Sequence, residues 1–270
     1  MKIGIDKIGF YTPPMYIDME KLAEARNVDP AKYTIGIGQD KMAVPPLTQD
    51  AVTMAANAAL DVLDDEDRRA IDFVMFGTES AIDHSKSAAV YVHQLTGIQP
   101  GARSVELKQA CYGATAAIQL AMGHIALHPE SKVLVLASDI ARYGLETGGE
   151  PTQGAGAVAL VLSANPRILE IEKESVSLTK DIMDFWRPLY SDTAMVEGKF
   201  SNQMYVEFFL DVWDRYKEKT TKDLKDFEAL CFHLPYTKMG RKALDALEKE
   251  TGEEALERIR QNYEDRKSVV

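Results

Sequence analysis

Apolar positions in this chain fall into two patterns. Some are short continuous blocks, and others recur along one face of a longer polar stretch. "KIGIDKIGFYTPP" near the start reads as a strand ended by prolines. "LTQDAVTMAANAALDVL", residues 47–63, has helical apolar spacing, and "IDFVMFG", 71–77, is a seven-residue run suited to a buried strand. A polar loop, "TESAID", and a helix near 85–96 follow. "SVELKQA" is the next strand. Residues 112–128 form a helix with Ala, Ile, Leu and Met on most sides, which predicts burial between two layers. "KVLVLAS" and "AVALVLS" add two core strands. Strands alternating with helices predict an α/β fold with helices covering a sheet.

Residues 165–225 break the rhythm. "DFWRPLYSD" and "VEFFLDVWDRYKE" mix aromatics with charges and read as an inserted loop-and-helix region. "DFEALCFHLPYTKMGRKALDALEKETG", 226–252, then resumes strand, loop and helix. This unit resembles an earlier one. Asp72-Phe73 and Asp226-Phe227 each open an apolar run, and the runs end at Glu79 and His233, both pairs offset by 154 positions. Thr-Gly closes both units, at 96–97 and 251–252. The register predicts a duplicated fold: a first half over 1–164, the insertion over 165–225, and the start of a second half over 226–270. After Gly252 the chain holds "RKSVV", similar to "ARSV" of the first half, but no counterpart of the long apolar helix or of the last two core strands. The expectation is therefore a second half left incomplete, in a chain that is the front part of a longer protein or a shortened form of it.

Composition narrows the function. A net charge of −11 over 270 residues argues against a nucleic-acid surface, which needs clustered Lys and Arg. Two cysteines are too few for a disulfide framework and point to a reducing cytoplasm. The N-terminus lacks the continuous apolar block of a signal peptide. The strongest apolar run, "AVALVLSA", is too short to cross a bilayer.

Chemistry-bearing residues cluster at strand ends. In "KQACYGATAAIQLAMGHIA", Cys111 stands where a strand turns into a helix. It is either a small buried hydrophobe or a thiolate favoured by the positive end of the helix dipole. Cys231, inside "EALCFH", has no helix start beside it and reads as core packing. His233 is held on a short turn by Pro235 and is suited to hydrogen-bonding a carbonyl or activating a leaving group; a structural histidine is the other reading. Glu79 follows Gly77 and Thr78 at the end of a buried strand, where partial desolvation would raise its pKa and suit it to proton transfer; a solvated loop carboxylate is the alternative. Lys238, Arg241 and Lys242 form a local basic cluster for phosphate or carboxylate, or simply a solvated helix face. The Gly-x-Gly in "TQGAGAVALVL" lacks the helix and spacing of a dinucleotide fingerprint. His124 and His128 are four residues apart on one helix, without a third ligand spaced for zinc, so no metal site is assigned.

Four stretches together, "FGTESAIDHSKS", "LKQACYGATAAIQLA", "YTIGIGQDKMAV" and "FHLPYTKMGRKAL", closely resemble the bacterial type of hydroxymethylglutaryl-CoA synthase. The resemblance runs over essentially the whole chain, with the motifs in order. It implies a thiolase-like duplicated fold, layered αβαβα, and a homodimer. It also implies condensation of acetyl-CoA with acetoacetyl-CoA to 3-hydroxy-3-methylglutaryl-CoA, for the mevalonate route to isoprenoids. Coenzyme A thioesters would be substrates, with no cofactor. By the resemblance Cys111 is the acetyl-accepting nucleophile, Glu79 the acid/base, and His233 the group that orients acetoacetyl-CoA. Lys238 and Lys242 match lysines that bind CoA and acyl groups, and Thr152 and Ser201 match substrate contacts. The family carries an asparagine-bearing loop and a serine-bearing loop that have no counterpart in these 270 residues. Two other readings stand beside this one: a decarboxylating ketoacyl synthase of the same fold, and an inactive binding module.

Overall fold

The computed structural model describes residues 1–255, 257 and 259. The chain opens with β1 (Ile3–Tyr11), β2 (Met15–Asp18) and α1 (Met19–Ala25), the last capped by the Asp18 carboxylate, which accepts from the Glu20 and Lys21 N–H groups. A π-helical turn, Lys32–Ile37, leads to β3 (Lys41–Val44), which pairs antiparallel with β2. None of these elements except β1 was expected from the apolar pattern. The segment is short and locally polar, and its periodicity is weak.

The 47–63 helix is realised as α2 (Ala51–Leu60), shorter because the Asp50–Thr53 capping box sets its start. A short helix, α3 (Asp65–Ala70), runs directly into β4 (Ile71–Gly77). Then come α4 (Ala88–Thr96), closed by Gly97 at φ 68°, β5 (Arg103–Leu107), α5 (Gly113–Leu127), β6 (Lys132–Ala141) and β7 (Gly154–Ala164). Six strands join in the order β5-β4-β6-β7-β1-β8, with β8 at Leu169–Glu170. β4 is parallel to both β5 and β6, whereas β7 is antiparallel to β6 and β1.

Side-chain alternation on the central strands sorts the core into two layers. Val74 and Phe76 of β4, with Leu134 and Leu136 of β6, pack against α2 and α4. Met75 of β4, with Val133 and Val135 of β6, packs against α5. Each of these fully buried side chains contributes roughly 1.5–3 kcal/mol of transfer free energy. At the lower end of the sheet the Asp67 carboxylate, fully buried, accepts from Lys7 Nζ at 2.5 Å and Lys132 Nζ at 2.8 Å.

Three sequence expectations are corrected here. α5 is not buried all round. Its stripe of Gly113, Ala117, Ala121 and Ile125 lies on the sheet, while Leu120 and Leu127 are 54% and 79% exposed. Apolar composition reveals that a helix face seeks cover, not what provides it. The same composition makes Ala110–Leu127, rather than "AVALVLSA", the stretch long and apolar enough to cross a membrane; its stripe instead packs on the sheet. Second, the strand expected over 226–233 is not formed among the described residues. That segment leaves a 3₁₀ turn, Leu224–Asp226, without strand pairing, and follows β9 (Phe185–Trp186), β10 (Met195–Val196) and the long helix α6 (Gly198–Thr220). Leu230, Phe232 and Leu234 pack with Phe209 and Trp213 of α6 and with Leu244 and Leu247 of α7 (Met239–Thr251). Alternation then turns Cys231 outward, so Cys231 is exposed rather than a core residue.

Candidate active site

Two glycines create the site. A Cβ on Gly77, the last residue of β4, would lie 2.2 Å from the Ala114 nitrogen. A Cβ on Gly113, the first residue of α5, would lie 2.8 Å from the Leu107 carbonyl oxygen. Only glycine at both positions lets the end of β4 touch the first turn of α5. Glu79 stands two residues after Gly77, and Cys111 two residues before Gly113. The contact therefore brings them together across 32 positions: Cys111 Sγ donates to Glu79 Oε1 at 3.3 Å. Ala110, beside the cysteine, has φ 40°, a left-handed conformation that costs a non-glycine residue energy and that strained functional loops often contain.

The electrostatics correct one expectation. A helix N-terminus was expected to favour the Cys111 thiolate. Instead the thiol, on a residue whose outer surface is exposed, is pushed up to about 12, first by desolvation on its inner side and then by the charge and hydrogen bond of Glu79. A carboxylate at 3.3 Å outweighs half a unit charge of helix dipole. The resting pair is a protonated thiol donating to a carboxylate. Glu79 is itself raised, chiefly by desolvation and further by the Asp139 carboxylate, while the Cys111 hydrogen bond and the Arg187 charge pull it down.

Asp139 and Arg187 escaped the sequence reading. Asp139, on β6, accepts through one oxygen from Thr78 Oγ1 at 3.0 Å, the Glu79 N–H at 2.7 Å and the Ser80 N–H at 3.0 Å. It fastens the chain just past β4 to the neighbouring strand. Desolvation nonetheless holds its carboxyl above the usual range. The rule that singled out Glu79, a polar residue ending a buried strand, also applies to "KVLVLASD" and would have found Asp139. Arg187 donates to the Glu79 carbonyl oxygen from 108 residues away, and no local signal announces it. Tyr143 completes the surround; burial first, then the charges of Cys111, Glu79 and Asp139, raise its phenol.

The remaining candidates lie as follows. His233 makes no hydrogen bond to Cys111 or Glu79 among the described residues. Tyr205 Oη donates to its carbonyl at 2.7 Å; the residue as a whole is exposed, but desolvation of the ring lowers its imidazole pKa and favours the neutral form. Thr152, half-buried, closes a 3₁₀ turn by donating to the Gly149 carbonyl at 2.9 Å. Ser201, in the first turn of α6, donates to Asp184 Oδ2 at 3.1 Å. Lys238 is the exposed N-cap of α7, and Lys242 donates to Tyr236 Oη at 2.7 Å. His124 is bound by the Asp72 carboxylate at 3.0 Å, and its ring meets that of His128. Among the described residues no group of three His, Cys, Asp or Glu is arranged for a metal ion.

A mixed sheet between helical layers, with a cysteine at a strand-to-helix elbow beside a carboxylate from the adjacent strand, defines a thiolase-like scaffold. Solved structures share it. A hydroxymethylglutaryl-CoA synthase complexed with CoA matches with a TM-score of 0.91 at 47% identity over 93% of this chain and 65% of that one. The curacin-pathway HMG synthase bound to an acetyl donor carrier protein matches at 0.90 and 30% identity, over 98% of this chain and 67% of that one. Residues 1–166 match the N-terminal family model of hydroxymethylglutaryl-coenzyme A synthase, and 170–265 the C-terminal one. The hydroxymethylglutaryl-CoA synthase of Enterococcus faecalis is 60% identical over 98% of this chain and 69% of its own length. The human cytoplasmic enzyme is 33% identical over 90% of this chain and 50% of its own. The chain belongs to the hydroxymethylglutaryl-CoA synthase family, and it spans about half to two thirds of the length of these relatives.

Proposed function

We propose that this chain carries the acyl-transfer half-site of a hydroxymethylglutaryl-CoA synthase, condensing acetyl-CoA with acetoacetyl-CoA. The observation that carries the reading is the 3.3 Å hydrogen bond from the Cys111 thiol to the Glu79 carboxylate at the elbow. Because the thiol is strongly held as S–H, a base must take its proton during attack, and Glu79 is the hydrogen-bonded base. Cys111 sulfur attacks the acetyl carbonyl, the C–S bond to CoA breaks, and the proton taken by Glu79 leaves with CoA as its thiol. Backbone N–H groups at the start of α5 stabilise the oxyanion.

Glu79, again a carboxylate, removes a proton from the acetyl methyl group. The resulting enolate carbon bonds to the ketone carbon of acetoacetyl-CoA, and protonated Glu79 returns the proton to the new alkoxide. Desolvation, which raises the Glu79 pKa, suits this double use as base and acid. Water then cleaves the cysteine thioester and frees 3-hydroxy-3-methylglutaryl-CoA. His233, whose imidazole pKa is lowered by desolvation of the ring, orients the acceptor ketone. Lys238 and Lys242 bind CoA and acyl groups, with Thr152 and Ser201 as further substrate contacts. The reading includes a homodimer, for which the outer edge of β5, with no further strand on it among the described residues, is the natural seam. A reducing cytoplasmic setting agrees with two free cysteines.

The test is intact-protein mass after exposure to acetyl-CoA. Wild-type chain gains one acetyl group, retained on the Cys111 peptide, and Cys111→Ser gains none. Glu79→Ala is acetylated slowly and fails to condense. Acetyl attached to Cys231, or equally to Cys111→Ser, refutes the assignment.

A further inference from the structure

Both main-chain polar groups of Glu79 are pinned by residues distant in sequence. Its N–H donates to Asp139, and its carbonyl accepts from the Arg187 guanidinium. Two contacts bring the segment bearing Arg187 to this place: Phe185 packs edge-on against Tyr143 with centroids 6.0 Å apart, and the Ala194 N–H donates to the Arg142 carbonyl at 3.0 Å. The Glu197 N–H donates to the Asp184 carbonyl at 2.9 Å and closes the segment on itself. The ionisable groups facing the Glu79 carboxylate are Cys111 before α5, Asp139 on β6, Tyr143 after β6, and Arg187. The first three are acids, and Arg187 is the cation among them.

That arrangement poses an electrostatic problem. A desolvated carboxylate beside a second carboxylate tends to stay protonated and to lose its capacity as a base. The hydrogen bond from the Cys111 thiol opposes this, and so does the nearby cation, a guanidinium fixed by its hydrogen bond to the same residue's main chain. We propose that Arg187 is a positioning residue for the Glu79–Cys111 pair. Its hydrogen bond to the Glu79 carbonyl holds the carboxylate against the thiol, and its charge keeps that carboxylate a proton acceptor. The inserted segment thus governs the strength of a base that belongs to the first half of the chain. The inference rests on Glu79 and Cys111 being the reacting pair.

Three variants separate the parts: Arg187→Lys keeps the charge, Arg187→Gln keeps a donor without charge, and Arg187→Met keeps neither. The primary readout is the titration of the Glu79 carboxyl carbon by ¹³C NMR in Glu-labelled full chain, assigned by its loss in Glu79→Gln. The Glu79 midpoint moves upward in Arg187→Gln and Arg187→Met and returns towards wild type in Arg187→Lys. Acetyl transfer to Cys111 at a fixed mildly acidic pH falls about tenfold in Arg187→Met, a fraction of a general base's usual 10²–10⁴ contribution. A midpoint unmoved in both uncharged variants overturns the proposal, as does an equal upward shift in Arg187→Lys. A wild-type chain that takes no acetyl group refutes the acyl-transfer reading instead, and the Glu79 titration still decides the role of Arg187. Thermal melts of all three variants identify any loss of fold, in which case the Arg187→Gln against Arg187→Lys comparison carries the decision.

Discussion

Replacing Gly77 by alanine tests how the site is built. The added Cβ would sit 2.2 Å from the Ala114 nitrogen, 2.6 Å from the Gly113 carbonyl carbon and 2.8 Å from the Ala114 Cα. All three are backbone atoms at the start of α5, so no side chain can swing away. Ordinary contact begins near 3.4 Å, so the shortest of these contacts needs about 1.2 Å of relief. The end of β4 is bonded on both sides, to β5 and to β6, so the relief comes from moving the α5 turn outward. Such a shift takes Cys111 Sγ beyond the 3.3 Å hydrogen bond to Glu79. Overpacking against a rigid core costs about 1–3 kcal/mol, and backbone neighbours favour the upper part of that range. For a chain of this size that lowers the melting temperature by about 2–4 °C per kcal/mol. The assay pairs a thermal melt with the rate at which iodoacetamide alkylates Cys111, read on the isolated peptide so that Cys231 is counted separately. Freed from the carboxylate, the Cys111 thiol ionises more readily, and alkylation at neutral pH accelerates while Cys231 stays unchanged. Wild-type melting together with wild-type Cys111 reactivity would show that the two glycines do not set the spacing of the pair.

Glu79→Gln is expected to raise the melting temperature at neutral pH. The folded-state pKa of Glu79 is raised by desolvation, so its contribution to stability is full below the unfolded carboxylate value and is lost as pH climbs through the raised value. The gain from glutamine should vanish in acid, and a pH-independent gain would contradict the shift. Asp67→Ala should cost about 3 kcal/mol in denaturant unfolding, the low end for breaking a buried pair because Lys7 and Lys132 keep 16% and 19% exposure. Burial pushes the Asp67 carboxyl up, but the Lys132 and Lys7 ammonium groups outweigh it and hold it below the usual range. Its stabilisation is therefore present above the unfolded value of about 3.9 and lost as pH falls through the folded one; an acid limb that the variant leaves unmoved would refute this.

Periodicity alone located β1, β4, β5, β6, β7, α2, α4 and α5, because burial on a sheet face or beneath a helix leaves a local apolar imprint. It failed over residues 14–46, where short strands and a π-helical turn depend on one another's hydrogen bonds, and over 226–233. There, alternating apolar residues cover α6 and α7 and join no sheet among the described residues. Glu79 and Cys111 were legible because each ends a strand, and the family resemblance supplied roles for them that spacing could not.

The linear order of residues determined where strands end, which residues punctuate them, and hence where a sulfur and a carboxylate stand in the chain. Only the tertiary structure decided that they meet, through the Gly77–Gly113 contact, and in which protonation state they rest. The thiol is pushed up to about 12 first by desolvation and then by the carboxylates of Glu79 and Asp139, which neighbouring strands bring to it. Field strength depends on distance through space and on the solvent excluded between the charges, and separation along the chain encodes neither.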